Sequence, residues 1–369
     1  MIPIFVILFA TTTLAYFAAS ESVIVRRNKL GLARRFRLRK IDSALFYTLL
    51  GLLVLFVGLR SSYNDTGAYL LKFKNIDPSI EAFNRISWIL AENPGFEISN
   101  ILLKFLVGDN GNIIIFIYSL VSVTLLFIFY RRWSICLWVT VFLFCTTGML
   151  LLTMAALKQV LAMSIGLCGI TCFLANRRGW FVFCVLFASS FHVYILFYLL
   201  AFVLSDRLWS RKVILIIFGA VISGVFIEQF IGLASVATEV IGAEYQKTGE
   251  LSAQGVNFFR FLVSSVTPLL IWIYRARINE SGNRALILCS NFTLIGWCFM
   301  FIALFSSANM FARMAMYFDP FMHLALTALV VSVIPRWYRQ HVLQGCLLFY
   351  LLFFWFELYA KGFSYRWIL

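Results

Sequence analysis

The sequence predicts an all-α, polytopic integral membrane protein of about 11 spans, and three observations predict it. Of the 369 residues, 62% are hydrophobic and 13% charged, with a mean hydropathy of +0.91, which is far from the make-up of soluble domains. Apolar runs of about 20 residues recur along the chain, enough to cross a hydrocarbon core roughly 30 Å thick as helices. The runs also lack the short, regular alternation that builds an outer-membrane barrel.

The apolar runs cover approximately 2–19, 42–60, 112–130, 133–151, 153–175, 180–204, 212–233, 257–275, 285–306, 314–334 and 342–360. The first is signal-like, yet no small-residue cleavage site precedes the basic loop, so it reads as a retained helix. Between the first two runs, RRNKLGLARRFRLRK holds eight of the 31 basic residues. Short basic loops beside spans mark the cytoplasmic side, where anionic head groups are their partners. The net charge of +15 therefore points to a membrane surface. No nucleic-acid-binding motif accompanies it.

With that loop inside, Arg131, Arg132, Arg177 and Arg178 also fall inside, and residues 61–111 form a large outer loop. The run Gly179–Leu204 then poses a conflict. A single crossing puts Arg207, Arg211 and Lys212 outside and inverts every later loop. A re-entrant hairpin instead gives the later inner loops eight basic residues and the outer loops with the tail four, as the positive-inside rule prefers. Each half is only about 13 residues, a re-entrant length. Its turn falls near Ser189, Ser190 and His192.

In the outer loop, Ile80, Phe83, Ile86 and Ile89 or Leu90 recur at helical spacing, Asn93-Pro94-Gly95 breaks the pattern, and Phe96, Leu102, Phe105 and Leu106 resume it. Two amphipathic helices on the membrane surface fit this pattern. The chain otherwise reads as a single transmembrane domain, 1–369, with no internal repeat visible. Most of the eight cysteines lie inside apolar runs without the paired spacing of a zinc site. Neither a metal, a disulfide nor a cofactor is expected.

Five ionisable residues in or beside the apolar runs fall on one side in this topology: Arg60, Asp65, Lys158, His192 and Arg313. A charge at a helix centre costs about 2.5–3.5 kcal/mol on insertion scales, so such residues line cavities or substrate paths. Lys158 is expected about two turns inside the outer end of the fifth helix, and Arg313 at the opening of the tenth. Three converging cations call for an anion. Arginine forks match phosphate oxygens in pairs, and a lysine adds a point charge. A lipid-linked pyrophosphate satisfies several cations while its tail stays in the bilayer, and cations around a departing pyrophosphate stabilise charge that grows in the transition state. Asp65 or His192 is placed to orient or deprotonate an acceptor hydroxyl.

Competing readings are ordinary. Arg60 and Arg313 sit near span ends, where snorkelling is common, and Asp65 could cap the turn Asn64-Asp65-Thr66-Gly67. His192 could bond a backbone carbonyl. Glu228 is a weaker outer-end candidate.

At these residues the chain resembles the EpsG family of polysaccharide polymerases. Gly58-Leu59-Arg60 followed by Asp65 and Tyr69 resembles its G-x-R, then T-D-Y-x-x-Y, signature. Glu92-Asn93-Pro94-Gly95-Phe96 resembles its E-x-G-[FY] segment, and Lys158-Gln159-Val160-Leu161-Ala162 its R-Q-x-[IL]-A helix. Phe191-His192 matches its F-H, and Arg313 with Tyr317 its late R-x-x-x-Y. Lysine stands where the family has arginine at Lys158, and Thr66 where a tyrosine is common.

The resemblance implies a GT-C-like helical fold and a Wzy-type polymerase of the bacterial inner membrane, making O-antigen, capsule or exopolysaccharide at the periplasmic face. Its substrate is then an undecaprenyl-pyrophosphate-linked oligosaccharide, and its other partners are membrane lipids and a chain-length regulator. The catalytic set expected is Asp65, His192 and Arg60. Substrate binding is assigned to Arg60, Lys158, Gln159, Arg313, Tyr69, Tyr317 and Glu92. A lipid-linked oligosaccharide flippase and an O-antigen ligase are the alternatives, but a flippase should show alternating access and often a repeat between halves. A purely structural subunit leaves the intramembrane cations unexplained.

Overall fold

The computed structural model describes residues 2–27, 33–79, 81–204, 207–226, 255–306, 308–360 and 365–367, with the backbone alone for 19–27, 33–41, 223–225, 308–309 and 367. The chain divides into two compact units, Met1–Tyr198 with Leu343–Leu369, and Leu199–Val342. All eleven apolar runs contain helix. Among the described residues, four helices are long and apolar enough to cross a membrane, or six if each bent pair is one span.

In the first unit, α1 (Ile2–Ala18) and α2 (Ser43–Gly58) are joined by a ribbon rather than a plain basic loop. Strand β1 (Ala19–Arg27) pairs antiparallel with β2 (Ala33–Ile41), from Ala19 opposite Ile41 to Arg27 opposite Ala33. The strict alternation Arg35-Phe36-Arg37-Leu38-Arg39 suits a strand. Asp42 then starts α2 by accepting from the Leu45 amide at 2.9 Å.

Three helices follow, two of them long: α6 (Gly111–Trp133), α9 (Leu157–Leu174) and the shorter α10 (Arg178–Ser189). Between the first two lie α7 (Leu137–Thr146) and α8 (Met149–Ala155), bent by 58° where Gly148 takes φ +94°, a conformation that glycine tolerates best. Neighbours α1–α2, α2–α6, α6–α9 and α9–α10 pack in series. Helices in lipid associate through close packing and hydrogen bonds rather than through the hydrophobic effect. Small residues serve that here: Gly169 of α9 lies against Phe181 and Cys184, and Gly166 against Ile195 and Tyr198. The Trp133 indole donates to the Thr171 hydroxyl at 3.1 Å, and Arg131 to the Ser43 hydroxyl at 2.8 Å.

The glycine contacts trace a chain reversal. Moving from Cys184 to Ile195 along a straight helix would cover about 16 Å. The facing positions on α9, Gly169 and Gly166, are about 4.5 Å apart. The chain therefore leaves its line after Ser189, and the 3-10 turn Val193–Leu200 returns to the level of Gly166. The helix breaks where Ser189, Ser190 and His192 were expected to turn.

The outer segment departs from expectation in part. One helix, α5 (Pro94–Val107), resumes after Asn93 as the spacing predicts, but α4 (Glu81–Asn84) is a single turn, so the amphipathic helix expected over 80–90 is not formed. Eleven residues fall below the length at which a helix is stable by itself, and Ile86 is buried here without a continuous helix. A helix not foreseen, α3 (Thr66–Lys74), follows the end of α2. Trp88 (74% exposed) and Leu106 (79% exposed), with Ile89, Leu102 and Phe105, turn outward, as surface apolar side chains do where a bilayer meets them.

In the second unit, Arg211–Val225 and Phe258–Ile273 pack on Arg284–Phe305, which also meets Asp319–Ala328. Asn279 and the Leu208 backbone exchange two hydrogen bonds, 2.9 and 3.2 Å. Phe292 packs edge-on against Phe318 and Phe321. Glu228 lies outside the described residues.

Candidate functional site

Arg60 follows directly on the end of α2 and is wholly buried, at 0% exposure. The last carbonyls of a helix lack intrahelical donors, and Arg60 Nη1 donates to one of them, Val57 O. Its Nε donates to Thr66 Oγ1 at 3.1 Å, at the start of α3, and Nη1 also reaches Ser119 Oγ of α6 at 3.2 Å. One guanidinium thus ties three elements. Its Nη2, equally buried, has no hydrogen-bond partner among the described residues. A buried donor left unmet costs about 1–3 kcal/mol, so this nitrogen marks a place for an acceptor.

The surrounding segment is locked to α6. Tyr118 of α6 donates to Asn100 Oδ1 at 2.8 Å, shares a 2.6 Å hydrogen bond with Ser99 Oγ and stacks on Phe96, with centroids 5.1 Å apart. Lys72 of α3 pairs with Glu97 of α5 at 2.9 Å. Lys104, only 4% exposed, donates to the carbonyls of Phe73 (3.2 Å) and Lys74 (3.1 Å), ending α3, and pairs with Asp109 at 2.5 Å. Hydrogen bonding to Lys104, then its charge, holds the exposed Asp109 carboxyl below its ordinary pKa.

Four of the motifs singled out in the sequence meet here. Tyr69 lies edge-on to Phe96 at 6.1 Å and close enough to Arg60 to interact electrostatically. The Lys158 ammonium sits 5.8 Å from the Phe96 ring centre, within cation–π range. The Gly95 amide donates to Ser190 O at 2.8 Å, which fastens the outer segment to the chain reversal beside His192. His192 is half-buried, 5.2 Å from the Tyr194 ring. Tyr69, Phe96, Asn100, Tyr118 and Leu157 line a narrow cleft of about 10 Å³, room for one water.

Lys158 stands differently from expectation. The break at Ala156 puts it in the first turn of α9, not two turns inside a helix. The helix dipole disfavours a cation there by about 0.3–1 kcal/mol. An anion shared by Lys158 and the first-turn amides reverses that sign. Gln159 beside it is buried, at 2% exposure. Asp65 occupies the cap position of α3, where its side chain makes no capping hydrogen bond. Glu92 is exposed, in the turn Leu90–Glu92.

Arg313 and Tyr317 belong to the second unit. Arg313 does not open a straight helix: it lies within Met310–Met316, which bends by 47° into Asp319–Val333. Arg313 is exposed and Tyr317 fully buried.

Several residues of this neighbourhood escaped sequence reasoning. Ser119 and Thr66 are uncharged and carry no local signal. Tyr365, from far along the chain, lies close enough to Arg60 to interact electrostatically. Glu357 was discoverable, since it interrupts the apolar run Phe353-Phe354-Trp355-Phe356 as Lys158 interrupts its own. It lies close enough to Tyr63 to act on it electrostatically, although burial is what chiefly raises the Tyr63 phenol, to about 12.

These features define a helical membrane protein with an arginine-centred site at one end of a bundle. A family model matches residues 43–368, and the chain belongs to the EpsG family. Membership points to polysaccharide polymerisation by a glycosyltransferase-like protein that uses a lipid-linked oligosaccharide. Neither the curated proteins nor the solved structures contain a match to this chain.

Proposed function

We propose that the protein moves a growing glycan from undecaprenyl pyrophosphate onto the terminal sugar of a fresh lipid-linked repeat unit, at the periplasmic face of the bacterial inner membrane. The observation that carries this reading is the unmet Nη2 donor of buried Arg60. A phosphate oxygen is its natural acceptor.

In the reaction the bond between the sugar anomeric carbon and the pyrophosphate oxygen breaks, and the acceptor hydroxyl oxygen forms the new bond. Its proton passes to a base. Arg60 and Lys158 stabilise the charge that gathers on the departing pyrophosphate, so the chemistry requires no metal ion; Arg313, in the second unit, is a further cation for the substrate. Asp65, at the cap position of α3, or His192 takes the proton. Tyr69, Gln159, Tyr317 and Glu92 contact the substrate.

The periplasmic assignment draws support from charge. Helix directions put the end of α2, the starts of α6 and α9, and the end of α10 at one end of the bundle, with Arg60, Lys158 and Ser190. Arg131, Arg132, Arg177 and Arg178 lie at the opposite ends of the same helices. Positive residues favour the cytoplasm. The chain reversal at Ser190 favours a re-entrant hairpin within a GT-C-like fold of about 11 spans.

Cells carrying Arg60→Ala, Lys158→Ala or Arg313→Ala test the reading. Single repeat units attached to the final acceptor, with no long chains, are the expected product of each. Long but unattached chains indicate a ligase, units trapped inside indicate a flippase, and wild-type chain length from all three variants refutes the cation site.

A further inference from the structure

The end of the chain returns to Arg60. Arg366–Trp367 pairs antiparallel with Arg60–Ser62, placing Trp367 opposite Arg60 and Arg366 opposite Ser62. Just before this ladder, the Tyr365 ring stacks on Phe56, with centroids 4.9 Å apart and planes 14° from parallel. The Tyr365 hydroxyl donates to the carbonyl of Phe56.

That carbonyl has a specific meaning. Among the last residues of α2, Leu55 O accepts from the Leu59 amide at 3.0 Å, Phe56 O from Tyr365, and Val57 O from Arg60 Nη1. Tyr365 and Arg60 therefore serve successive carbonyls that the helix itself leaves unmet. Without the tyrosine hydroxyl, Phe56 O loses that donor one residue from the carbonyl that the guanidinium already holds. Nη2 then has a competitor inside the protein.

We propose that the C-terminal segment Tyr365–Trp367 is part of the Arg60 site, and that Tyr365 is a positioning residue which keeps Nη2 turned to an anionic ligand by occupying the Phe56 carbonyl. The proposal rests on the reading that Arg60 binds a lipid pyrophosphate. Tyr365 acts through Arg60 and touches no substrate.

The test uses the purified full chain with farnesyl pyrophosphate as the probe. Tyr365→Phe keeps the stacked ring and removes only the hydroxyl. It is expected to weaken binding about fivefold in the wild-type background and to have no further effect in Arg60→Ala. A structural role alone predicts the same loss in both backgrounds or none in either, and each of these results overturns the proposal. A second measurement does not depend on ligand. Ser62→Cys with Arg366→Cys, mildly oxidised, should yield a 62–366 disulfide-linked peptide by mass spectrometry. Absence of that peptide overturns the strand pairing and the proposal with it. If the peptide forms but wild-type protein does not bind the probe, the lipid-pyrophosphate reading fails, and with it the positioning role of Tyr365, while the ladder stands.

Discussion

The Gly95 amide donates to the Ser190 carbonyl at 2.8 Å, and a Cβ on Gly95 would fall 2.2 Å from Ser190 Oγ and 3.1 Å from its carbonyl carbon. This contact joins the outer segment to the turn that carries His192. It leaves no room for a side chain.

Gly95→Ala should therefore push the two segments apart, at a cost of about 1–3 kcal/mol as in other overpacked sites. Ser190→Gly, which removes both the hydroxyl and the Cβ, should restore much of the loss in the double variant. Thermal unfolding in detergent and chain length in cells measure both. Equal effects of Gly95→Ala with and without Ser190→Gly would mean that the contact does not hold the segments together.

Asp65 offers a clean separation of stability from chemistry. Asp65→Asn keeps the size and polarity of the side chain and removes only its charge, so any change in stability should be small beside the change in activity. Chain extension should nevertheless fall at least tenfold if the carboxylate accepts the proton. Unfolding curves beside polymer assays decide it, and a stability loss that tracks the activity loss would return Asp65 to a structural role.

At Lys158 the test is the kind of cation. Lys158→Arg restores the family's residue and keeps the charge over Phe96, so activity should stay within a few-fold of wild type. Lys158→Ala removes the charge and should raise the KM for the lipid-linked donor about tenfold or more. At the same time, taking a cation out of the first turn of α9 should slightly favour the helix. A Lys158→Ala protein that is both less stable and normal in KM contradicts the anion-binding role.

The Lys104–Asp109 pair gives a pH signature. The Asp109 pKa is lowered in the folded protein, so its contribution to stability is present above the ordinary aspartate pKa and is lost as pH falls through the lowered value. Melting curves taken down through that acid range should show a loss that Asp109→Asn lacks. Parallel acid profiles for the two proteins would mean that the pair adds nothing.

The helical content was legible because apolar runs near 20 residues have few other solutions in a membrane. The helix break after Ser189 falls where the charge count asks for a turn, because a hairpin there keeps Arg207, Arg211 and Lys212 with the other basic loops. Two local breaks were not legible. Gly148 and Ala156 interrupt a region whose hydropathy is continuous, so Lys158 was read as deep in a helix rather than at its start. The ribbon 19–41 carried a period-two signal in Arg35–Arg39 that its high charge obscured.

The site itself was partly legible. Charges in apolar runs pointed to Arg60 and Lys158 because the cost of burying them demands a reason. The residues around Arg60 did not stand out: Thr66, Ser119 and Tyr365 are ordinary residues, and the bond from Tyr365 to Phe56 joins positions 309 residues apart. No local periodicity encodes such a contact.

The central claim is that the free donor of Arg60 meets a pyrophosphate oxygen. The most direct measurement is the thermal shift of the purified protein on adding undecaprenyl pyrophosphate. At about 100 times the Kd, the ligand should stabilise wild type by about 2.7 kcal/mol. Arg60→Ala should lose most of that gain, and Arg60→Lys should recover only part, since lysine keeps the charge without the fork. Stabilisation of Arg60→Ala equal to that of wild type would contradict the account.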